Sequence, residues 1–151
     1  MNDPHDAPWL EDISLDVCLE LLREHPVGRI AVAVHEHPVI LPVNYRMVET
    51  LGLTWIAIRA RRGGMIDRAP APCALEIDGI DPNREEGWSV VVRGTLHHAD
   101  VDAADFRERF DSHPWLADRD AWLLIEPFSI TGRRLHRASG EPWAFHLRAY
   151  L

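Results

Sequence analysis

From Val27 to Val34 the chain alternates with a period of two, Ile30, Val32 and Val34 on one face and Arg29, Ala31 and Ala33 on the other. That is the pattern of a half-buried strand. A helix would repeat its apolar positions every three or four residues. The turn His35-Glu36-His37-Pro38 sends the chain back through Val39 to Met47, and Glu49 to Gly52 turns it again into the apolar run Leu53 to Ile58. Consecutive strands joined by such short turns form an antiparallel meander, because a parallel pair needs a long crossover. Alanines on the second face of the first strand imply that something packs closely there. Pro42 has no N–H for a ladder, so the second strand lies at an edge or bulges at that point.

The alternation returns at Cys73 to Asp78 and again, at its longest, from Trp88 to His98, where Val90, Val91 and Val92 form the heart of the segment. Trp88, Val90 and Val92 share a face and are expected to be buried. Trp122 to Glu126 and Phe128 to Leu135 read as two further strands separated by Pro127. Helical signals are few. Ser14 can cap a helix from Leu15 to about His25, with Asp16 suiting its positive end and Leu15, Cys18, Leu19 and Leu22 as its stripe, before Pro26 stops it. A short helix is expected over Met65 to Ala69, ended by Pro70 and Pro72, and another over Val101 to His113, with Phe106 and Phe110 on one face. Gly79 to Gly87 reads as a polar loop, residues 1–13 as an N-terminal arm, and 14–151 as a single domain with an aromatic-rich tail. The sum is a mainly β (α+β) chain, a barrel of six or seven mostly antiparallel strands with small peripheral helices.

Composition removes several functional classes. A chain of 151 residues, 46% of them hydrophobic, is long enough for one domain with a real core. No apolar run approaches the length that crosses a membrane. The opening MNDPHDAPWLED lacks the basic-then-apolar layout of a signal peptide, so a cytoplasmic protein without membrane contact is expected. Cys18 and Cys73 lie far apart in apolar contexts and read as reduced core thiols. The formal net charge of −8 argues against a nucleic-acid partner. All 16 basic residues are arginine, which excludes lysine Schiff-base chemistry. His97 and His98 are adjacent on a strand and face opposite ways, and His35 and His37 have no third ligand nearby, so no metal site is expected.

Against this acidic background one stretch is basic. The strand from Leu53 runs into Arg59, Arg61 and Arg62, then Gly63-Gly64, with Arg68 beyond and Asp67 as its sole acid. Arginine forks grip phosphate oxygens bidentately, and paired glycines let the backbone come close, so this is a candidate phosphate cradle. Arg29, on the alanine-lined face of the first strand, is a further candidate.

Four segments in order carry a resemblance: Val27-Gly28-Arg29-Ile30-Ala31-Val32, Pro42-Val43-Asn44-Tyr45, Gly87-Trp88-Ser89-Val90-Val91-Val92-Arg93-Gly94 and Ile130-Thr131-Gly132-Arg133-Arg134. Together they resemble the pyridoxamine 5′-phosphate oxidase-like flavin-binding split-barrel family, over roughly residues 14–136. The resemblance implies a split β-barrel homodimer with FMN in a cleft between subunits and a small-molecule substrate. Asn44 and Tyr45 match the family strand that runs beside the flavin ring, and Arg59 precedes the phosphate turn. The family turn resembles Arg-Thr-x-x-Gly-Ser-Lys, whereas this chain has Arg59-Ala60-Arg61-Arg62-Gly63-Gly64-Met65. Ala60, Gly64 and Met65 thus remove three phosphate contacts, each worth on the order of 1.5–3 kcal/mol, leaving Arg59, Arg61, Arg62, Gly63 and Gly64 as cofactor-binding candidates. The expected function is an FMN-dependent oxidoreductase. The alternatives are a non-catalytic or ligand-sequestering protein with a degenerate phosphate site, and a deazaflavin reductase whose long anionic tail suits the extra arginines. Fold membership alone does not choose between them.

Overall fold

The computed structural model describes residues 9–100, 102 and 105–136. The elements in order are β1 (Trp9–Ile13), α1 (Leu15–Glu24), β2 (Val27–Val34), β3 (His37–Thr50), β4 (Leu53–Ala60), β5 (Ala71–Asp81), β6 (Glu86–His98), α2 (Phe106–Phe110) and β7 (Ala121–His136). The strands form one antiparallel sheet in the order β1-β7-β4-β3-β2-β5-β6, and β6 also pairs with β7. That last pairing closes six strands into a barrel, with β1 as a seventh strand laid on the end of β7.

Alternation sets what lies inside. Ile30 and Val32 of β2, Leu75 and Ile77 of β5, Trp88, Val90 and Val92 of β6, and Leu123 and Ile125 of β7 all point inward and are buried. Helix α1 sits against the barrel with Cys18, Leu21 and Leu22 buried. Its stripe is rotated from the expected one, since Leu15 is exposed while Leu21 is not. Ser14 caps it as expected, accepting from the Val17 N–H at 3.4 Å. A second, smaller cluster holds α2 on the outside, where Phe106 and Phe110 pack with Val48, Ala57 and Trp122.

Pro42 and Pro127 occupy strand positions where a missing N–H costs little. Pro42 pairs with Arg29 of β2, but β4 joins β3 only from Tyr45 onward, so its other side has no ladder. Pro127 does not divide two strands, because β7 runs unbroken through it. On one side of β7, β4 pairs up to Ile125 and β1 only from Gly132, and on the other a register shift at Arg93/Gly94 accommodates the ring.

Three further expectations are corrected. Residues 65–69 are not helical but continue an irregular turn. Gly79 to Asp81 and Glu86 to Gly87 belong to β5 and β6, leaving Pro82 to Glu85 as the loop. The expected helix over 101–113 is seen as the shorter α2, with 101 and 103–104 outside the described residues. The last five residues of the N-terminal arm form strand β1, where Trp9 stacks on His136. The rest of the arm and the tail 137–151 also lie outside the described residues. Among the described residues no helix is long and apolar enough to cross a membrane.

Candidate functional site

The end of β4, the start of β3 and the long loop before β7 meet at a cleft of about 510 Å³. Its walls are Leu41 to Asn44, Arg59 to Arg61, Gly64 to Ile66, and Pro114, Leu116 and Arg119 from the loop. Among the described residues three arginines and no carboxylate line it, in a chain of net charge −8. A larger groove of about 600 Å³ lies elsewhere and is lined by Glu76, Asp78, Asp81, Glu85 and Glu86. By charge the first suits an anion better than the second, where five carboxylates outnumber the one lining arginine, Arg133. Arg29 lies by the second groove, paired with Glu76 at 3.1 Å and Asp78 at 2.6 Å, so it is not a member of the basic cleft.

The turn from Arg61 takes its shape from its glycines. The Gly64 N–H donates to the Arg61 carbonyl at 2.9 Å, and Gly63 sits at φ 69°, the sign a type II turn requires at its third position. A Cβ on Gly64 would stand 2.9 Å from the Arg61 carbonyl oxygen, so the serine of the family turn does not fit this one without a backbone shift.

The seven sequence candidates separate here. Asn44, Arg59, Arg61 and Gly64 line the cleft. Tyr45 points the other way, into the barrel, where its hydroxyl donates to the Leu22 carbonyl at 2.8 Å and burial pushes its pKa up. Successive strand residues face opposite sides, so Asn44 and Tyr45 cannot both border one cleft from this strand. Arg62 is exposed and donates to the Asp120 carbonyl at 3.3 Å, and Gly63 lies at the turn's apex outside the lining.

Arg59 is in the cleft wall but already engaged. Its Nε donates to the Arg119 carbonyl at 2.9 Å, its Nη1 reaches Asp111 at 3.3 Å, and its guanidinium lies 4.6 Å from the Trp122 ring centre. Burial alone would raise the Asp111 carboxyl. The His113 backbone N–H and the hydrogen bond and charge of Arg59 outweigh it and hold the pKa below its ordinary value. Arg59 is therefore a strut that ties loop 111–120 to β4. Asn44 is the second tie, its Oδ1 accepting from the Trp115 N–H at 3.0 Å.

Three donors remain for a ligand. The Arg61 guanidinium pairs with no group among the described residues. Asn44 Nδ2 is buried with no hydrogen-bond partner there. Arg119, which sequence reasoning did not single out, has one local contact, Nη1 to the Ala117 carbonyl at 3.2 Å. Nothing in the sequence links residue 119 to Arg59, 60 positions earlier. A buried donor without an acceptor costs about 1–3 kcal/mol, so Asn44 fits a site completed by a ligand acceptor. Neither cysteine offers a thiolate, since burial raises Cys18 and pushes Cys73 up to about 11.

Barrel and cleft together define a split-barrel protein with an arginine-lined cleft beside β4. The chain belongs to the pyridoxamine 5′-phosphate oxidase family, whose model matches residues 14–134. It is 30% identical over 146 residues to the uncharacterized protein Rv0080 of Mycobacterium tuberculosis, covering 92% of this chain and 94% of that one. Among solved structures it resembles an FAD binding protein from Mycobacterium smegmatis, with a TM-score of 0.61 and 26% identity over 83% of this chain and 98% of that one. The fold is also that of an FAD-binding protein from Mesorhizobium loti, with a TM-score of 0.68, 20% identity and coverage of 87% and 100%.

Proposed function

We propose that the chain is a flavin-nucleotide-dependent oxidoreductase acting on a small molecule, with the cofactor's anionic end held in the basic cleft. The observation that carries this reading is the unpartnered, buried Asn44 Nδ2 in a wall where arginines are present and carboxylates absent. Arg61 and Arg119 would hold phosphate oxygens and Asn44 Nδ2 would donate to an oxygen or ring acceptor, while Arg59 keeps the loop in place. Bound flavin supplies the redox chemistry, and the protein binds it, orients it and restricts water. The FAD-binding protein of M. smegmatis supports a flavin nucleotide, FMN or FAD. A specific observation also favours the second reading, a ligand-sequestering protein: Gly64 and Met65 stand where the family's serine and lysine would, and Gly64 leaves no room for the hydroxyl.

Fluorescence titration of the purified chain with FMN, FAD and riboflavin tests the site, and reduction of the bound flavin by a nicotinamide donor tests the enzyme. Saturable binding of FMN or FAD, weaker binding of riboflavin and reduction on adding donor are expected. A chain that takes up no flavin refutes the reading, and one that binds but never turns over is a carrier.

The same proposal includes a homodimer. The outer face of β2, β5 and β6 carries Ala31, Ala33, Ala74 and Val91 around a shallow groove of about 410 Å³, with Phe128 67% exposed at its rim. An apolar face of this kind, over which no helix lies among the described residues, suits a second copy of the chain. Light scattering at micromolar concentration should give twice 17.2 kDa, and a stable monomer overturns the dimer.

A further inference from the structure

Three guanidiniums within four residues, Arg59, Arg61 and Arg62, repel one another, and the glycines that follow are the least restrained residues in a chain. This turn has neither the threonine, the serine nor the lysine that its family counterpart uses. It nevertheless has a defined shape, and one side chain accounts for much of it. Asp67 Oδ2 accepts from the Gly63 N–H at 2.8 Å, while the Asp67 N–H returns to the Gly64 carbonyl at 3.2 Å. Arg68 closes the far end, its N–H on the Ile66 carbonyl at 2.8 Å and its Nε on the Met65 carbonyl at 2.9 Å. The Asp67 side chain is only 10% exposed and does not line the cleft, so its carboxylate holds the turn from behind. Its other oxygen has no hydrogen bond and lies 3.6 Å from His98 Nδ1 at the end of β6.

We propose that Asp67 is the positioning residue of the anion-binding turn: through the Gly63 N–H it fixes the backbone so that Arg61 stands in the cleft wall. For the ligand this rests on the flavin-nucleotide reading above. For the turn it does not. A carboxylate accepting from a backbone N–H makes a charge-assisted bond, and its negative charge also offsets the repulsion among the arginines. The carboxylate does from behind the turn part of what a bound anion would do from the cleft.

Two substitutions separate positioning from general support. Asp67→Asn keeps an oxygen that can accept from Gly63, whereas Asp67→Ala keeps none. Each is titrated with FMN and with riboflavin, which has the ring but no phosphate, and ligand-free protein is digested with trypsin, which cuts after arginine. Asp67→Ala is expected to weaken FMN about tenfold, leave riboflavin unchanged, and speed cleavage after Arg61 and Arg62 about tenfold. Asp67→Asn, which keeps the acceptor but loses the charge, should fall between the wild type and Asp67→Ala in FMN affinity and trypsin resistance and leave riboflavin unchanged. If Asp67→Ala binds FMN and resists trypsin like the wild type, the proposal is wrong. Equal weakening of FMN and riboflavin by both variants, with lowered melting temperatures, makes Asp67 a fold residue only and also overturns it. Should the wild type bind neither flavin, the flavin reading fails, and trypsin sensitivity alone decides for or against Asp67.

Discussion

Val90→Asp abolishes soluble folding. Val90 is fully buried in the middle of β6, flanked by Ile77 of β5 and Gly132 of β7, at the centre of the main apolar cluster. An aspartate there must remain ionised without a partner or take up a proton, and either costs several kcal/mol against a total stability of about 5–15 kcal/mol. Val91, one residue on, turns to the outer face between Glu76 and Thr131 and is only half-buried. Val91→Asp should therefore fold, though it should weaken self-association if that face meets a second copy. Expression yield, near-ultraviolet circular dichroism and thermal melting of the two variants read the difference. A soluble Val90→Asp protein with an unchanged melting temperature would place β6 one residue out of register, since a single-residue slip exchanges the two faces of a strand.

The barrel was legible because its strands satisfy a local rule. Ile30, Val32, Val90 and Val92 alternate with smaller or polar neighbours, and that period needs no knowledge of which strand lies beside which. What escaped depends on partners. Pro127 looked like a break because a proline inside a strand removes a donor, but β7 changes neighbour there and a bulge lies opposite. Residues 65–69 looked helical between glycines and prolines, yet five residues make at most one turn, which is unfavourable to nucleate without outside support. Asp67 bonds back to Gly63 instead.

The site was half legible for the same reason. Clustered arginines and paired glycines announce a cradle wherever they fall, and Arg61 and Gly64 do line one. Whether an arginine is free depends on residues far away. Asp111 and the Arg119 carbonyl engage Arg59 across more than 50 positions, and the Asp120 carbonyl takes Arg62. Asn44 and Tyr45 are neighbours in sequence and opposites in direction, so a strand that passes the cleft can give it only one of them.

The second large effect concerns the arginines that remain free. Changing Arg61 and Arg119 together to alanine should weaken binding of a flavin nucleotide by about 3 kcal/mol or more, roughly 150-fold, from the loss of two charge-assisted contacts. The fold should survive, since Arg61 is exposed and, among the described residues, the Arg119 side chain makes only the contact to Ala117, while the Arg119 carbonyl that Arg59 uses is backbone and remains. Arg62→Ala is the control. Its side chain holds the Asp120 carbonyl outside the cleft, so it should change affinity several-fold at most. Fluorescence titration with FMN, FAD and a deazaflavin, at two salt concentrations, measures all three proteins. Losing the arginines should also flatten the salt dependence, because screening acts on the charges they bring. If the double variant binds as tightly as the wild type while Arg62→Ala does not, the phosphate lies on the outer side of the turn and the cleft has been assigned to the wrong wall. A wild type that binds the deazaflavin but neither FMN nor FAD gives these arginines a longer anionic tail to hold, and the double substitution should then abolish that binding instead.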